Sequence, residues 1–337
     1  DTINIRKPQT FTAADAPATA AGITTETTAI TLNNWREVKF ALNDKELAFT
    51  GQRIIEDHVR PAAYAIANDI DTKLCALWSD IGNSVAYDSD PTVSMTGLRK
   101  ALLDQGSPLT PGQMHLMLAT TAEQDALKNS AFTQHQGAGD AGVSSQRTAS
   151  LGTKFGIETF TNQNVAASTA GAAPSGATGA LGQDEVVGAT TLTATDGWGN
   201  SKNIKEGHTL KIVSGGVTHY YVVTADVTTS GTGVAALAIS PGLRVAGAED
   251  DVLTIQVAAK QEMLGFHRNA FALCMAPLPE MGNELGAKVA TVSDPITGLS
   301  VRSRVYYVGN TSQVHVALDV LYGVKTLDPY LACRLQR

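Results

Sequence analysis

The sequence predicts an α+β protein, a body of helices and strands interrupted by an inserted small all-β domain. Three observations predict it. Apolar residues recur at helical spacing from Pro61 to about Gly82. Short β-rich runs follow one another between Thr190 and Val257. Val301–Tyr307 and Val314–Val320 alternate apolar and polar residues on either side of a Gly309-Asn310-Thr311-Ser312 turn. At 337 residues, 43% hydrophobic and 17% charged, the chain can build two or three modest cores and is not of disordered composition.

The chain opens Asp1-Thr2-Ile3-Asn4-Ile5-Arg6, lacks a Met and already alternates like a strand, so an N-terminal segment is expected, either cleaved off or lying ahead of the residues given. Ile3 and Ile5, with Val38, Phe40 and Leu42 later, predict two strands of an extended hairpin. The small and polar residues from Phe11 to Gly22 form its loop. Such a hairpin cannot bury two faces by itself and is expected to lie against a partner surface. Asn43 and Glu46 have capping-box spacing and predict a helix start. Pro61, without an amide proton, then interrupts. The long helix from Pro61 places Ala63, Ile66, Ala67, Ile70, Leu74 and Leu77 on its apolar side, with Asn68, Asp69, Asp71, Lys73 and Asp80 elsewhere.

A second helix is predicted over Thr96–Asp104 and a third near Thr121, with Thr120 and Glu123 as another capping box. Gln113–Leu118 reads as a short buried strand, Gln136–Ser145 as a glycine-rich loop, and Lys154–Phe160 as a strand region. Residues 166–182, almost entirely Ala, Gly, Ser and Thr, read as a linker. The runs Thr190–Thr195, Thr209–Val213, Val217–Val223, Val234–Ile239 and Val252–Val257 then predict a small barrel or sandwich. Asp196-Gly197, Gly215-Gly216, Ser230-Gly231 and Pro241-Gly242 are its turns. In the final hairpin, Val301, Ser303, Val305 and Tyr307 face one way and Arg302, Arg304 and Tyr306 the other. His315 and Asp319 fall on its polar face as interface or surface groups. Gly323 is expected to break that strand before a last short apolar element, Leu327–Leu335.

Chemistry is sparse. Gly137-Ala138-Gly139-Asp140-Ala141-Gly142 matches GxGxxG, but polar His135-Gln136 precedes it where a dinucleotide site needs a strand, so a flexible loop is expected. His58, His115, His135, His208, His219, His267 and His315 show no metal-ligand spacing, and Glu249, Asp250 and Asp251 read as a solvated acidic turn. Cys75, Cys274 and Cys333 are expected as reduced thiols. Asn310-Thr311-Ser312 is a glycosylation acceptor only in a secreted protein. The formal net charge of -7 argues against a dedicated nucleic-acid binder, and no apolar run approaches the ~20 residues that span a bilayer. No catalytic, cofactor-binding or metal-ligating residue is assigned, and the protein is expected not to be an enzyme.

Several stretches in order resemble the major capsid proteins of short-tailed phages, the P-twenty-two-like coat family of the Hong Kong 97 phage capsid fold. They are Asp1–Pro8; Val59-Arg60-Pro61-Ala62-Ala63; Leu151–Ile157 with Asn162-Gln163-Asn164-Val165; Phe266–Leu273; and Leu318-Asp319-Val320-Leu321-Tyr322-Gly323. The resemblance implies an α+β fold of that type with an inserted small all-β domain. It implies an extended hairpin loop over 1–43, a peripheral domain with a spine helix over 44–105, and an axial domain from 106–165 and 263–325. The insertion, a β-barrel-like domain, would cover 166–262, and a return segment 326–337. It implies a major capsid protein of a tailed double-stranded DNA phage, assembling as hexamers and pentamers into an icosahedral head in the host bacterial cytoplasm. The implied partners are other copies of the chain, a scaffolding protein, the portal, a cement or decoration protein, and packaged DNA contacted non-specifically. No membrane and no cofactor are implied. Gly51, Gly82, Gly97 and Gly106, at helix edges, are the expected hinges. The alternative function is a phage surface or decoration protein that binds host glycan through the β insertion; an unrecognised enzyme is a third.

Overall fold

Strand alternation places two opposite faces on each strand, and the first of two structural units is organised around that fact. The computed structural model describes residues 2–7, 15–16, 22, 26–43, 55–108, 112–134, 140–172, 176–195, 197–231, 233–256, 258–280, 286–294 and 298–337. Its residues cluster into one unit of Asp1–Leu74 with Ala272–Leu327 and another of Cys75–Phe271 with Asp328–Arg337.

In the first unit a five-stranded sheet orders Phe271–Ala276, Gln313–Thr326, Ser300–Val308 and Lys288–Ser293, and Asn34–Asn43 also pairs with the long Gln313–Thr326 strand. The predicted terminal hairpin is present, in register from Arg302 opposite Asp319 to Val308 opposite Gln313. One face of the sheet, through Val38, Phe40, Val301, Leu318, Val320, Tyr322 and Val324, packs under Ala62, Ile66 and Ile70 of the Arg60–Cys75 helix. Those three helix positions are four apart, which puts them on one stripe. Ala63 and Ala67, expected on that stripe, are exposed instead.

The structure revises several expectations. Thr2–Lys7 pairs with Glu26–Thr31, not with the Val38–Leu42 strand, which joins the terminal hairpin from Leu42 opposite Val314 to Val38 opposite Leu318. The longer apolar match lies with the terminal strand, so register follows burial. Asn43 ends a strand, and Glu46 of its expected capping box lies outside the described residues, as does Gly51. A π-helical turn, Ile55–Val59, leads directly into Arg60–Cys75, so Pro61 sits in a first helical turn, where its missing donor costs nothing. Gly323 does not break its strand: Gln313–Thr326 is continuous through it. A Cβ there would stand 2.3 Å from the Thr31 carbonyl oxygen, so glycine is required for close backbone approach.

In the second unit a six-stranded sheet orders Ser84–Ala86, Ala332–Gln336, Glu262–His267, Met114–Leu118, Ile157–Thr161 and Thr153–Lys154. The predicted buried strand holds, its residues alternating buried and half-buried. Met95, Leu98 and Leu102 of the Pro91–Asp104 helix pack on one face with Leu116, Ile157, Met263 and Leu335. Ile81, Leu264, Ala270 and Ala332 form a separate core with Trp78 and Phe266. The Pro91–Asp104 helix is capped by Asp90, which accepts from the Thr92 amide at 2.9 Å. It ends at Gly106, whose φ of 87° lets the Ser107 amide reach the Leu102 carbonyl at 3.1 Å. Gly106 is therefore a helix stop. The Thr120–Lys128 helix has no capping box: Ala119 is its N-cap, and Glu123 instead accepts from the Thr161 hydroxyl at 2.7 Å. The expected loop over Gln136–Ser145 contains the start of a helix, Asp140–Thr148.

The β-rich runs close a six-stranded antiparallel barrel in the order Thr209–Ser214, Val217–Val223, Val234–Ser240, Thr191–Thr195, Thr178–Leu181 and Val252–Gln256. Leu181, Leu192, Leu210, Ile212, Tyr221 and Leu253 fill it. The segment read as a linker contributes a staff of this barrel, since Thr178–Leu181 pairs with both Val252–Thr254 and Ala194–Thr195. Its small residues misled because Gly179 needs no side chain where Trp198 lies 3.1 Å from a would-be Cβ.

Candidate assembly surfaces

The first unit's sheet has a second face, on the side of Arg302, Arg304 and Asp319, and its centre is a buried charge cluster. Asp319 is 0% exposed, although the polar alternation placed it at the surface. Its Oδ1 accepts from Arg302 Nε at 3.0 Å, and its Oδ2 from Arg302 Nη2 at 2.5 Å and from the Trp35 indole at 3.2 Å. Arg304 Nη2 stands 3.1 Å from the same Oδ2 and 3.0 Å from Glu37 Oε1. A carboxylate taken out of water must be compensated, and here two guanidinium groups and an indole do so. The register explains the grouping: Arg302 lies directly opposite Asp319, and Glu37 opposite Asp319 on the other side. Hydrogen bonding to Asp319 raises the Arg302 pKa above its ordinary value.

Elsewhere on its surface, and at Trp35 beside this cluster, the unit presents large side chains to solvent. Trp35 is 62% exposed although its indole nitrogen is held, and Tyr64 on the helix is 69% exposed. Tyr307 and Val292 are exposed as well, and Ile3 is partly exposed on the Thr2–Lys7 ribbon. Trp and Tyr combine a large apolar area with a polar atom and are favoured at protein interfaces. Tyr322, in contrast, is buried, and its hydroxyl donates to Asp69 at 2.6 Å. Burial, with that bond second, pushes its pKa up to about 12.

The second unit has its own buried ion. Arg334, 0% exposed, donates to the Gly207 carbonyl at 2.7 Å and to the Thr209 hydroxyl; Glu262 is 3.8 Å away and Trp78 lies under the guanidinium at 5.5 Å. Burial pulls its pKa below the ordinary value, against the opposing pull of Glu262. Arg334 thus ties the last strand of the sheet to the foot of the barrel. Two close approaches reinforce this seam. A Cβ on Gly82 would meet the Tyr221 backbone at 2.6 Å, and one on Gly207 would meet the Trp78 ring at 2.6 Å. Gly82 therefore serves contact, where the sequence suggested a hinge.

The residues singled out for chemistry are dispersed. Sheet pairing brings His115 beside Phe266 and places its Nδ1 3.3 Å from Glu158, a pairing that sequence spacing did not signal. His208 is buried, accepts from the Lys205 amide at 3.1 Å and contacts the Thr169 carbonyl at 3.0 Å; burial lowers its pKa. His267 is also buried and lowered, His219 is lowered by burial, His58 is exposed, and His135 lies outside the described residues. Among the described residues no three His, Cys, Asp or Glu side chains could hold a metal ion. Among the described residues Cys75, Cys274 and Cys333 form no disulfide, Cys75 Sγ accepts from Asn162 Nδ2 at 3.6 Å, and burial pushes the Cys333 thiol up to about 12. In the Glu249–Asp251 turn, Asp251 accepts from the Ala248 amide at 2.9 Å, and the Glu249 amide donates to Asp184 at 2.9 Å. Among the described residues no helix is long and apolar enough to cross a membrane.

No protein-family model matches the chain, and no curated protein matches it by sequence. Solved structures do. A chain of Mycobacterium phage Che8 superposes with a TM-score of 0.51 at 12% identity, covering 99% of this chain and 84% of that one. The capsid structure of the cyanophage P-SCSP1u matches at TM-score 0.48 and 9% identity, over 100% and 82% of the two chains. The mature capsid of bacteriophage PhiM1 matches at 0.46 and 13%, over 100% and 81%. The first of these establishes that nearly the whole chain shares its fold with a phage protein.

Proposed function

We infer that this chain, whose structural relatives are tailed-phage capsid structures, is a major capsid protein that self-assembles into hexamers and pentamers of an icosahedral head. The observation that carries the reading is the fold likeness over 99% of the chain, since partial resemblance could reflect one shared module. The Hong Kong 97 subtype, with 1–43 as the extended hairpin loop, 44–105 as the peripheral domain, 106–165 and 263–325 as the axial domain, 166–262 as the insertion and 326–337 as the return, belongs to the same proposal. So do the virion as location, assembly in the host bacterial cytoplasm, and scaffolding, portal, cement and DNA partners.

The physical features agree with this role. A subunit repeated many times gains stability from shared interfaces, so an exposed Trp35 or Tyr64 that would be a liability alone can be covered by a neighbour. No residue is assigned a catalytic, cofactor or metal role. The glycan-binding alternative is disfavoured by the barrel, whose exposed large apolar side chains are valines such as Val186 and Val187. Its Trp198 and Tyr221 are buried, so those flat aromatic faces are unavailable to stack on a sugar.

Expression of the chain, alone and with a candidate scaffolding protein, followed by negative-stain electron microscopy tests the reading. Closed shells or capsomer rings are expected. A chain that stays monomeric under both conditions would overturn it.

A further inference from the structure

We propose that two patches of the second unit form a head-to-tail contact between copies of this chain. The aromatic tip of the Thr153–Thr161 hairpin of one copy docks on the acidic, valine-bearing end of another copy's barrel. The proposal rests on the assembly reading above.

The first patch is a knob. Phe155 and Gly156 form the turn between the Thr153–Lys154 and Ile157–Thr161 strands, with φ of 52° and 75°. Such two-residue turns favour Asn, Asp or Gly, and a bulky aromatic at positive φ is strained. The strained Phe155 is nonetheless 42% exposed, its ring edge-on to Phe132 at 6.2 Å. Two cations stand beside it. Arg99 Nη1 donates to the Phe155 carbonyl at 2.7 Å, and Lys154 Nζ lies 6.0 Å from the Phe132 ring. A strained backbone displaying an aromatic between two cations points to recognition, not to local stability.

The second patch follows from barrel topology. With all neighbours antiparallel, the connections after Leu181, Ser214 and Ser240 emerge at one end, opposite the end where the chain enters and leaves. Val186 and Val187 there are 73% and 64% exposed, and Val245 is exposed too. Asp184, Glu249 and Asp250 add exposed carboxylates, while the cation on these connections, Arg244, is engaged by Gln105 Oε1 at 2.8 Å and lies 5.0 Å from the Tyr330 ring. The end is braced: the Glu185 amide donates to the Gly247 carbonyl at 2.8 Å, the Gly188 amide to Leu243 at 2.7 Å, and the Asp250 amide to Leu181 at 3.0 Å. A preorganised apolar surface loses little entropy on docking.

Charge complementarity selects the occupant. Barrel end against barrel end would oppose carboxylates, and tip against tip would oppose cations, whereas tip against barrel end satisfies both and buries Phe155 on valine. Such a contact is heterologous, so it closes into rings or continues from copy to copy, as a shell requires.

The test uses the full chain, with association read by light scattering and electron microscopy beside the wild type. Phe155→Asn suits the positive φ better than phenylalanine, so it should fold, and its association should weaken at least ~10-fold. Val186→Asp with Val187→Asp, on exposed positions, should have the same effect without touching the knob. Lys154→Glu should weaken association, and adding Glu249→Lys to it should restore association in part. If the tip and barrel-end variants assemble like wild type, the contact is overturned while the assembly reading stands. Failure of the charge exchange to restore association overturns the pairing of these two patches. A wild-type chain that never associates overturns both readings.

Discussion

Replacing Asp319 with alanine removes the single acceptor shared by Arg302, Arg304 and the Trp35 indole. The Arg302 side chain is only 10% exposed, so its buried charge would keep only the Pro279 carbonyl at 2.8 Å and the weaker pull of Glu37. Breaking a buried ion pair from one side costs roughly 3–5 kcal/mol. Arg304, 26% exposed and still 3.0 Å from Glu37, is partly compensated, which places the expected loss near the lower bound, about 3 kcal/mol. For a domain of this size each kcal/mol moves Tm by about 2–4 °C, so a fall of about 6–12 °C is expected. Asp319→Asn keeps one acceptor and should fall by about half as much. Differential scanning calorimetry gives the shift. Hydrogen exchange across Ser300–Val308 and Gln313–Thr326 shows whether the loss is centred on the hairpin. An Asp319→Ala transition within about 2 °C of wild type would refute the argument, because it would mean the arginines are solvated as they stand. Lys100→Ala, which breaks the exposed pair with Asp104, is the control and should leave Tm unchanged.

Three further outcomes are expected. His208, His219 and His267 all have pKa values lowered by burial, so the unfolded chain binds protons first on acidification. Stability present above the unfolded histidine pKa of about 6.5 should be lost as pH falls through that value toward the lower folded ones. Urea titrations at pH 7.5 and pH 5.5 measure this, and His208→Gln should flatten the dependence, since protonating Nδ1 would oppose the Lys205 amide. Gly323→Ala should reduce soluble yield and Tm, because its Cβ would meet a main-chain oxygen of Thr31 that cannot rotate away; a cost of about 1–3 kcal/mol is expected. Arg334→Met should loosen the barrel from the sheet, leaving Glu262 without its cation at about 3 kcal/mol; limited proteolysis between the barrel and the sheet reads it.

The local pattern already contained much of the architecture. Alternation in Val301–Val320 specified the terminal hairpin, and spaced β-rich runs with Gly215-Gly216 at a turn specified a small β domain, barrel or sandwich, because period and turn chemistry are properties of neighbouring residues, while closure into a barrel came from long-range pairing. The exposure of Val186 and Val187 was invisible, since a loop valine reads alike whether covered or bare. Phe155 offered one signal, a bulky residue immediately before Gly156, but its positive φ appears only once the two short strands pair.

By itself the sequence determined that the protein is α+β, where its long helix, barrel runs and terminal hairpin lie, and that it shows no pattern of paired catalytic groups. Only the tertiary structure decided that Thr2–Lys7 pairs with Glu26–Thr31, that Thr178–Leu181 belongs to the barrel, and that Gly323 continues its strand beside Thr31. It alone turned Asp319 from an apparent surface group into a buried ion. The physical reason is common to all four. Propensity and periodicity act over a few residues, whereas pairing partners and burial are set by which distant segments exclude water together.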